Sequence, residues 1–116
     1  MSSPDYFDGY TRSARLGIAD TALIPIDLQY ASGSRHHGLG RVLAQQQRLH
    51  EAQYRFDRIE STVLPNTRRL LDYFRSVGAR VVHVTLGAEL EDFSDASEQL
   101  RETFRITNNR VGTKEH

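Results

Sequence analysis

The stretch Thr21-Ala-Leu-Ile-Pro-Ile-Asp-Leu-Gln-Tyr30 is an apolar run that ends in a carboxylate. Ala22, Leu23, Ile24 and Ile26 follow without polar alternation, the pattern of a strand buried on both faces of a parallel sheet. Pro25 removes a ladder donor, so a local irregularity is expected inside that strand. Asp27 stands where the strand should leave the sheet. Open α/β sheets hold their ligands in crevices beyond the C-terminal ends of such strands.

Working outward, residues 80–86, Arg-Val-Val-His-Val-Thr-Leu, form a second β-branched, largely apolar strand. Ahead of it Leu70, Leu71, Phe74 and Val77 recur at helical spacing and predict one buried stripe. Pro65 suits a first helical position, and Gly78 supplies the left-handed residue that closes such a helix. Two strands joined by a helical crossover make a parallel βαβ unit. The fold class expected is therefore α/β. Residues 31–40 read as loop, with three glycines and two serines in ten positions. One or two helices are expected over about residues 41–61, and another from an N-cap at Ser94 or Asp95 to about Arg105, ended by Asn108, Asn109 and Gly112. Residues 1–20 read as an N-terminal arm, with Leu16 and Ile18 available to pack on the body formed by residues 21–116. Two strands make a narrow parallel sheet, so the chain is expected to be the N-terminal part of a larger domain.

Fifteen Lys and Arg residues balance fifteen Asp and Glu residues. That balance leaves no basic footprint for nucleic acid or an anionic membrane. No apolar run approaches the roughly 20 residues of a membrane-spanning helix. The first ten residues lack the basic and apolar regions of a secretory signal, so cytoplasmic residence is expected. The chain contains no cysteine, which excludes disulfides, thiolate metal sites and a cysteine nucleophile within these residues.

Ile26-Asp27-Leu28-Gln29 at a strand end, followed by Leu64-Pro-Asn66 at a helix start, Leu70-Leu71, Arg75, Gly78 and a second aliphatic strand, resembles the N-terminal portion of the isochorismatase-like cysteine hydrolases. The resemblance spans about residues 21–85 and continues more loosely to residue 116, where Asn108, Asn109, Gly112 and Thr113 resemble the approach to a third strand. It implies a three-layer, Rossmann-like α/β fold with helical crossovers around a parallel sheet, present here as an N-terminal fragment with about two strands. It also implies hydrolysis of a small amide or ureide C–N bond by an Asp-Lys-Cys triad. Asp27 matches the triad carboxylate, the general base that takes the thiol proton. The triad Lys and Cys are implied to lie beyond His116. Lys114, among Gly112, Thr113 and Glu115, reads as a solvated loop lysine. The family implies a small-molecule substrate and a homo-oligomer at full length, with Tyr6, Phe7 and Tyr10 as reasonable interface anchors.

No cofactor and no metal are expected. Metal-binding members of the family carry an Asp-x-His pair after the second strand, whereas residues 85–92 here contain no histidine. Adjacent loop histidines such as His36 and His37 more often point apart than chelate one ion, and His83 reads as a core or interface histidine. Arg35, His36 and His37 are placed where a substrate carboxylate or carbonyl would be met, and a solvent-facing loop explains them equally well. A phosphoryl-transfer reading fails because it needs a second Asp where Gln29 stands. A second reading remains open: a non-catalytic α/β module that binds a small ligand or another subunit through residues 32–40.

Overall fold

The computed structural model describes residues 6–7, 9–10 and 12–116, and the remainder of the expected N-terminal arm (residues 1–5, 8 and 11) lies outside the described residues. Strands β1 (Ala22–Leu23) and β2 (Arg80–Val81) pair in parallel, with Ala22 opposite Arg80 and Leu23 opposite Val81. Pairing resumes as a parallel bridge between Ile26 and Val84. Pro25 causes the gap. The Val82 and Val84 N–H groups donate to the Leu23 and Pro25 carbonyls at 2.9 Å, and the Asp27 N–H donates to the Val84 carbonyl at 2.9 Å. In that alternation the nitrogen of residue 25, which carries no hydrogen, falls opposite the Val82 carbonyl.

The helices are α1 (Tyr30–Gly33), α2 (Gly38–Gln45), α3 (Gln53–Arg58), α4 (Leu64–Ser76) and α5 (Glu98–Thr107), with 3-10 turns at Ile18–Asp20 and Leu49–Ala52. A π-helical turn, Ile59–Val63, joins α3 to α4 without interruption. Pro65 therefore does not open a helix as its type suggested; it is the second residue of α4 within a longer helical run. In an unbroken α-helix its ring would strike the Ser61 carbonyl, and the wide turn just ahead relieves that clash. Helix α4 ends as expected. Gly78, at φ 70°, lets its own N–H reach the Arg75 carbonyl at 3.2 Å while the Ala79 N–H reaches that of Phe74 at 2.9 Å. Asn108, at φ 57°, closes α5 in the same way, with the Asn109 N–H on the Phe104 carbonyl at 2.8 Å.

Three boundaries differ from the sequence expectation. Helices α1 and α2 occupy most of residues 31–40, and α2 starts at Gly38 rather than Arg41. Helix α5 starts after Ser97. Asp95 caps no helix; it accepts the Glu89 N–H at 2.7 Å and the Leu90 N–H at 3.3 Å, and so closes the preceding loop. The Glu89 bond holds the Asp95 carboxyl below its ordinary range, as the Ser94 N–H does for Asp92.

Burial on both faces of the strands, and of the whole α4 stripe, is not what the structure has. Helix α4 packs against both strands, yet Ile24 is 50% exposed, Ile26 64% and Leu70 48%. Leu71, Phe74 and Val77 are half-buried. A pair of strands with one helix on it leaves its remaining surface uncovered. Leu16 and Ile18 are exposed too, lining a groove beside Phe74 and Val77. The core lies instead where the chain turns after β2, around Ala88, Phe93 and Phe104 with Ala96 against them; Phe56 and Ala31 are buried as well. Accessible surface is 9079 Å² for 13.2 kDa, against about 6,400 Å² for a compact monomer of that mass. The radius of gyration, 18.5 Å, likewise exceeds the roughly 13 Å of a compact chain of this length. The architecture is α/β, a two-stranded parallel sheet with helices. Among the described residues no helix is long and apolar enough to cross a membrane.

Candidate functional site

Asp27 lies at the C-terminal edge of the parallel pair, one residue beyond the Ile26–Val84 bridge. Its backbone is fixed on both sides: the N–H donates to Val84, and the carbonyl accepts the Gln29 N–H at 3.0 Å. The φ angle is 54°, a left-handed conformation that Asp tolerates better than most residues. The side chain is exposed and borders a crevice of about 220 Å³ between α1, α2, α5 and the end of the second strand. Among the described residues the Asp27 carboxylate has no hydrogen-bonding or ionic partner.

Gln29 builds the floor of that crevice. It is 7% exposed. Its carboxamide treats Leu86 as a neighbouring strand would, accepting the Leu86 N–H at 3.0 Å and donating to the Leu86 carbonyl at 3.0 Å. Its second amide hydrogen goes to the His116 carbonyl at 2.9 Å. Asn109 also donates to the Leu86 carbonyl, at 2.8 Å. The neighbouring backbone is paired as well, with Ala88 and Arg110 in a parallel bridge and the Ala31 N–H on the Glu115 carbonyl at 2.8 Å. Beyond the end of β2 the chain thus makes one further short parallel contact. His116 completes the cluster, with Nε2 at 3.1 Å from Thr85 Oγ1 and Nδ1 at 3.3 Å from Asn109 Oδ1.

Arg35, His36 and His37 do not line this crevice. Arg35 pairs with Asp57 and with Glu60, the latter at 3.0 Å from Nε, and its guanidinium lies over the buried Phe56 ring. The bonds to Glu60 and then Asp57 raise its pKa still further. His37 stacks on Tyr30 with ring centroids 4.8 Å apart, and its Nδ1 is 3.0 Å from Ser34 Oγ. His36 is exposed, and only its backbone N–H reaches Ser34 Oγ, at 3.2 Å. The two histidines do not converge. His83 is exposed rather than in the core. Lys114 is exposed with its ammonium 5.6 Å from the Tyr30 ring centroid. Among the described residues no three His, Asp or Glu side chains are grouped to hold a metal ion.

Two glycines that read only as loop composition set the crevice wall. A Cβ on Gly40 would strike the Ser34 and Arg35 carbonyls, and one on Gly38, at φ 46°, would strike the Ala31 backbone. They let α2 lie directly on α1 and bring Leu39 to the crevice. Gly40→Ala forces backbone against backbone, which no side-chain rotation relieves. It is expected to cost about 3 kcal/mol. Amide hydrogen exchange in α2 should accelerate about 100-fold, and unchanged protection would show that the helices separate without strain.

No family model, curated protein or solved structure matches the chain.

Proposed function

We propose that residues 21–116 form the N-terminal portion of a three-layer, Rossmann-like hydrolase domain of the isochorismatase type, in which Asp27 is the general base. The observation that carries this reading is the placement of Asp27 at the C-terminal edge of a parallel strand pair, with its side chain bordering a crevice. The motif resemblance of residues 21–85 supports it, and so do apolar strand surfaces suited to further strands and helices.

In this reading a cysteine and a lysine from sequence after His116 complete the triad. Asp27 takes the thiol proton, and the thiolate attacks the carbonyl carbon of a small amide or ureide. The protonated Asp27 then hands that proton to the departing nitrogen as the C–N bond breaks, and water hydrolyses the remaining thioester. The left-handed backbone at Asp27, fixed by Val84 and Gln29, holds the carboxylate at the crevice rather than against the sheet.

In a protein extended through those partners, Asp27→Asn is expected to lower kcat by about 10²–10⁴-fold, the usual contribution of a general base. Circular dichroism should be unchanged, because asparagine also accepts the left-handed conformation. Wild-type turnover in that variant would remove Asp27 from the mechanism.

A further inference from the structure

We infer that Thr85, His116 and Asn109 form a second reactive centre, in which the Thr85 hydroxyl accepts an acyl group from small, neutral, activated esters. It does not rest on the hydrolase reading, since neither Asp27 nor any residue after His116 takes part. The three side chains stand in a hydrogen-bonded line. Thr85 Oγ1 is 3.1 Å from His116 Nε2, and His116 Nδ1 is 3.3 Å from Asn109 Oδ1. A hydroxyl, an imidazole and an orienting acceptor within hydrogen-bond reach of one another are the arrangement of an activated nucleophile. Burial grades along the line in the same sense: Thr85 is exposed, His116 half-buried and Asn109 buried. Neither Thr85 nor His116 lines the crevice beside Asp27.

The network fixes where the imidazole proton sits. Asn109 Nδ2 donates to the Leu86 carbonyl at 2.8 Å, so Oδ1 is the atom turned toward His116. A carboxamide oxygen only accepts, and neutral His116 therefore carries its proton on Nδ1. The Nε2 lone pair is left to accept the Thr85 hydroxyl, which is the tautomer a general base needs. The backbone holds the ring in place, with the His116 carbonyl on Gln29 at 2.9 Å and the Glu115 carbonyl on the Ala31 N–H at 2.8 Å. Gly87 makes room for it, because a Cβ there would strike His116 Nδ1 and fall 2.8 Å from Asn109 Oδ1.

In the reaction, Nε2 takes the hydroxyl proton as Oγ1 bonds to the ester carbonyl carbon. The Thr85 and Gly87 N–H groups make no hydrogen bond among the described residues, and they are the donors open to the oxyanion. The bond to the leaving oxygen then breaks, His116 gives that oxygen the proton, and the acyl group stays on Oγ1. Water, deprotonated by Nε2, later releases it as a carboxylic acid and restores the hydroxyl. The three side chains carry no formal charge when His116 is neutral, so the centre has no ionic handle and takes neutral esters. Asn109 does not stabilise an imidazolium as a carboxylate would, so the ester needs a good leaving group.

Two probes test this on the 116-residue chain at about pH 8, above the ordinary histidine range. p-Nitrophenyl acetate reports turnover. Diisopropyl fluorophosphate captures the hydroxyl, forming a bond from Oγ1 to phosphorus and losing fluoride. Peptide mass spectrometry is expected to find that adduct at Thr85, to find it still in Thr85→Ser, and to find none in Thr85→Val. Nitrophenolate release should fall in Thr85→Val. His116→Gln should slow labelling at least about 100-fold, the contribution of a general base. Asn109 acts through His116 and is a positioning residue. Asn109→Leu should slow labelling about tenfold, the scale of one lost hydrogen bond, and Asn109→Asp, which keeps an acceptor for Nδ1, should restore it. Long-range proton–nitrogen NMR should place the His116 proton on Nδ1 in the wild type, a readout that needs no variant to fold. A Thr85 without adduct overturns the inference. So does equal labelling in His116→Gln, nitrophenolate release that Thr85→Val leaves unchanged, or a His116 proton on Nε2.

Discussion

Purified by itself, the 116-residue chain is expected to self-associate and to unfold over a broad range of urea concentration without a sharp cooperative transition. The reason lies in where its apolar surface is. Ile24, Ile26, Leu70, Val82 and Val84 are each more than two-fifths exposed, and they lie together on the strands and the helix against them. At about 25 cal/mol per Å², leaving even roughly 400 Å² of apolar surface in water forgoes about 10 kcal/mol. That is comparable to the whole net stability of a small domain, about 5–15 kcal/mol. The strand edges add unpaired backbone groups, which template association. Analytical ultracentrifugation with a urea titration checks this. A monodisperse monomer with a steep, reversible transition would refute it and favour the self-contained binding-module reading.

The second large effect is expected at Gln29. Gln29→Leu keeps the approximate volume but strands the partly buried Leu86 N–H and withdraws a donor from the Leu86 and His116 carbonyls. An unsatisfied buried polar group costs about 1–3 kcal/mol, and the change as a whole is expected to cost about 3 kcal/mol. Exchange of the Leu86 amide hydrogen should accelerate about 100-fold. Gln29→Glu is expected to be at least as damaging. It still accepts from Leu86, but it turns a carboxylate toward the Leu86 carbonyl, which keeps the Asn109 donor, and toward the His116 carbonyl, which loses its own. If Leu86 exchange does not change in either variant, the carboxamide is not what holds the floor of the crevice.

Those two residues also show what was legible in the sequence. The parallel pairing, the crossover helix α4, its closure at Gly78 and the position of Asp27 at a strand end are carried by signals a few residues long. An apolar run, a 3.6-residue stripe and a glycine in a left-handed turn each act locally. Gln29 could be placed at the strand end, but its partner Leu86 is 57 positions away, and no local pattern names that partner. The same holds for Arg35 with Asp57 and Glu60, 22 and 25 positions away. Gly38 and Gly40 carried the composition of a loop because close helix contact and loop flexibility call for the same residue. Phe93, buried at φ 59° in a loop, has no periodic neighbours to announce it. Pro65 gave a true signal of helical strain with two structural answers, a helix start or a widened turn, and the chain uses the second.

The alternation that Pro25 interrupts also sets a clock. Along the strand pair the amides of Val82, Val84 and Asp27 are bonded inward, while those of Ile24, Ile26, His83 and Thr85 take no part in the pairing. Deuterium should therefore enter in a skip-one rhythm, quickly at residues 24, 26, 83 and 85 and slowly at 27, 82 and 84. The fast positions divide by edge, with 24 and 26 on one side and 83 and 85 on the other. Whatever strand comes to lie beside this pair would silence only the side it joins. The order of labelling then tells a mass spectrometer which flank has been occupied, without a structure of the assembly.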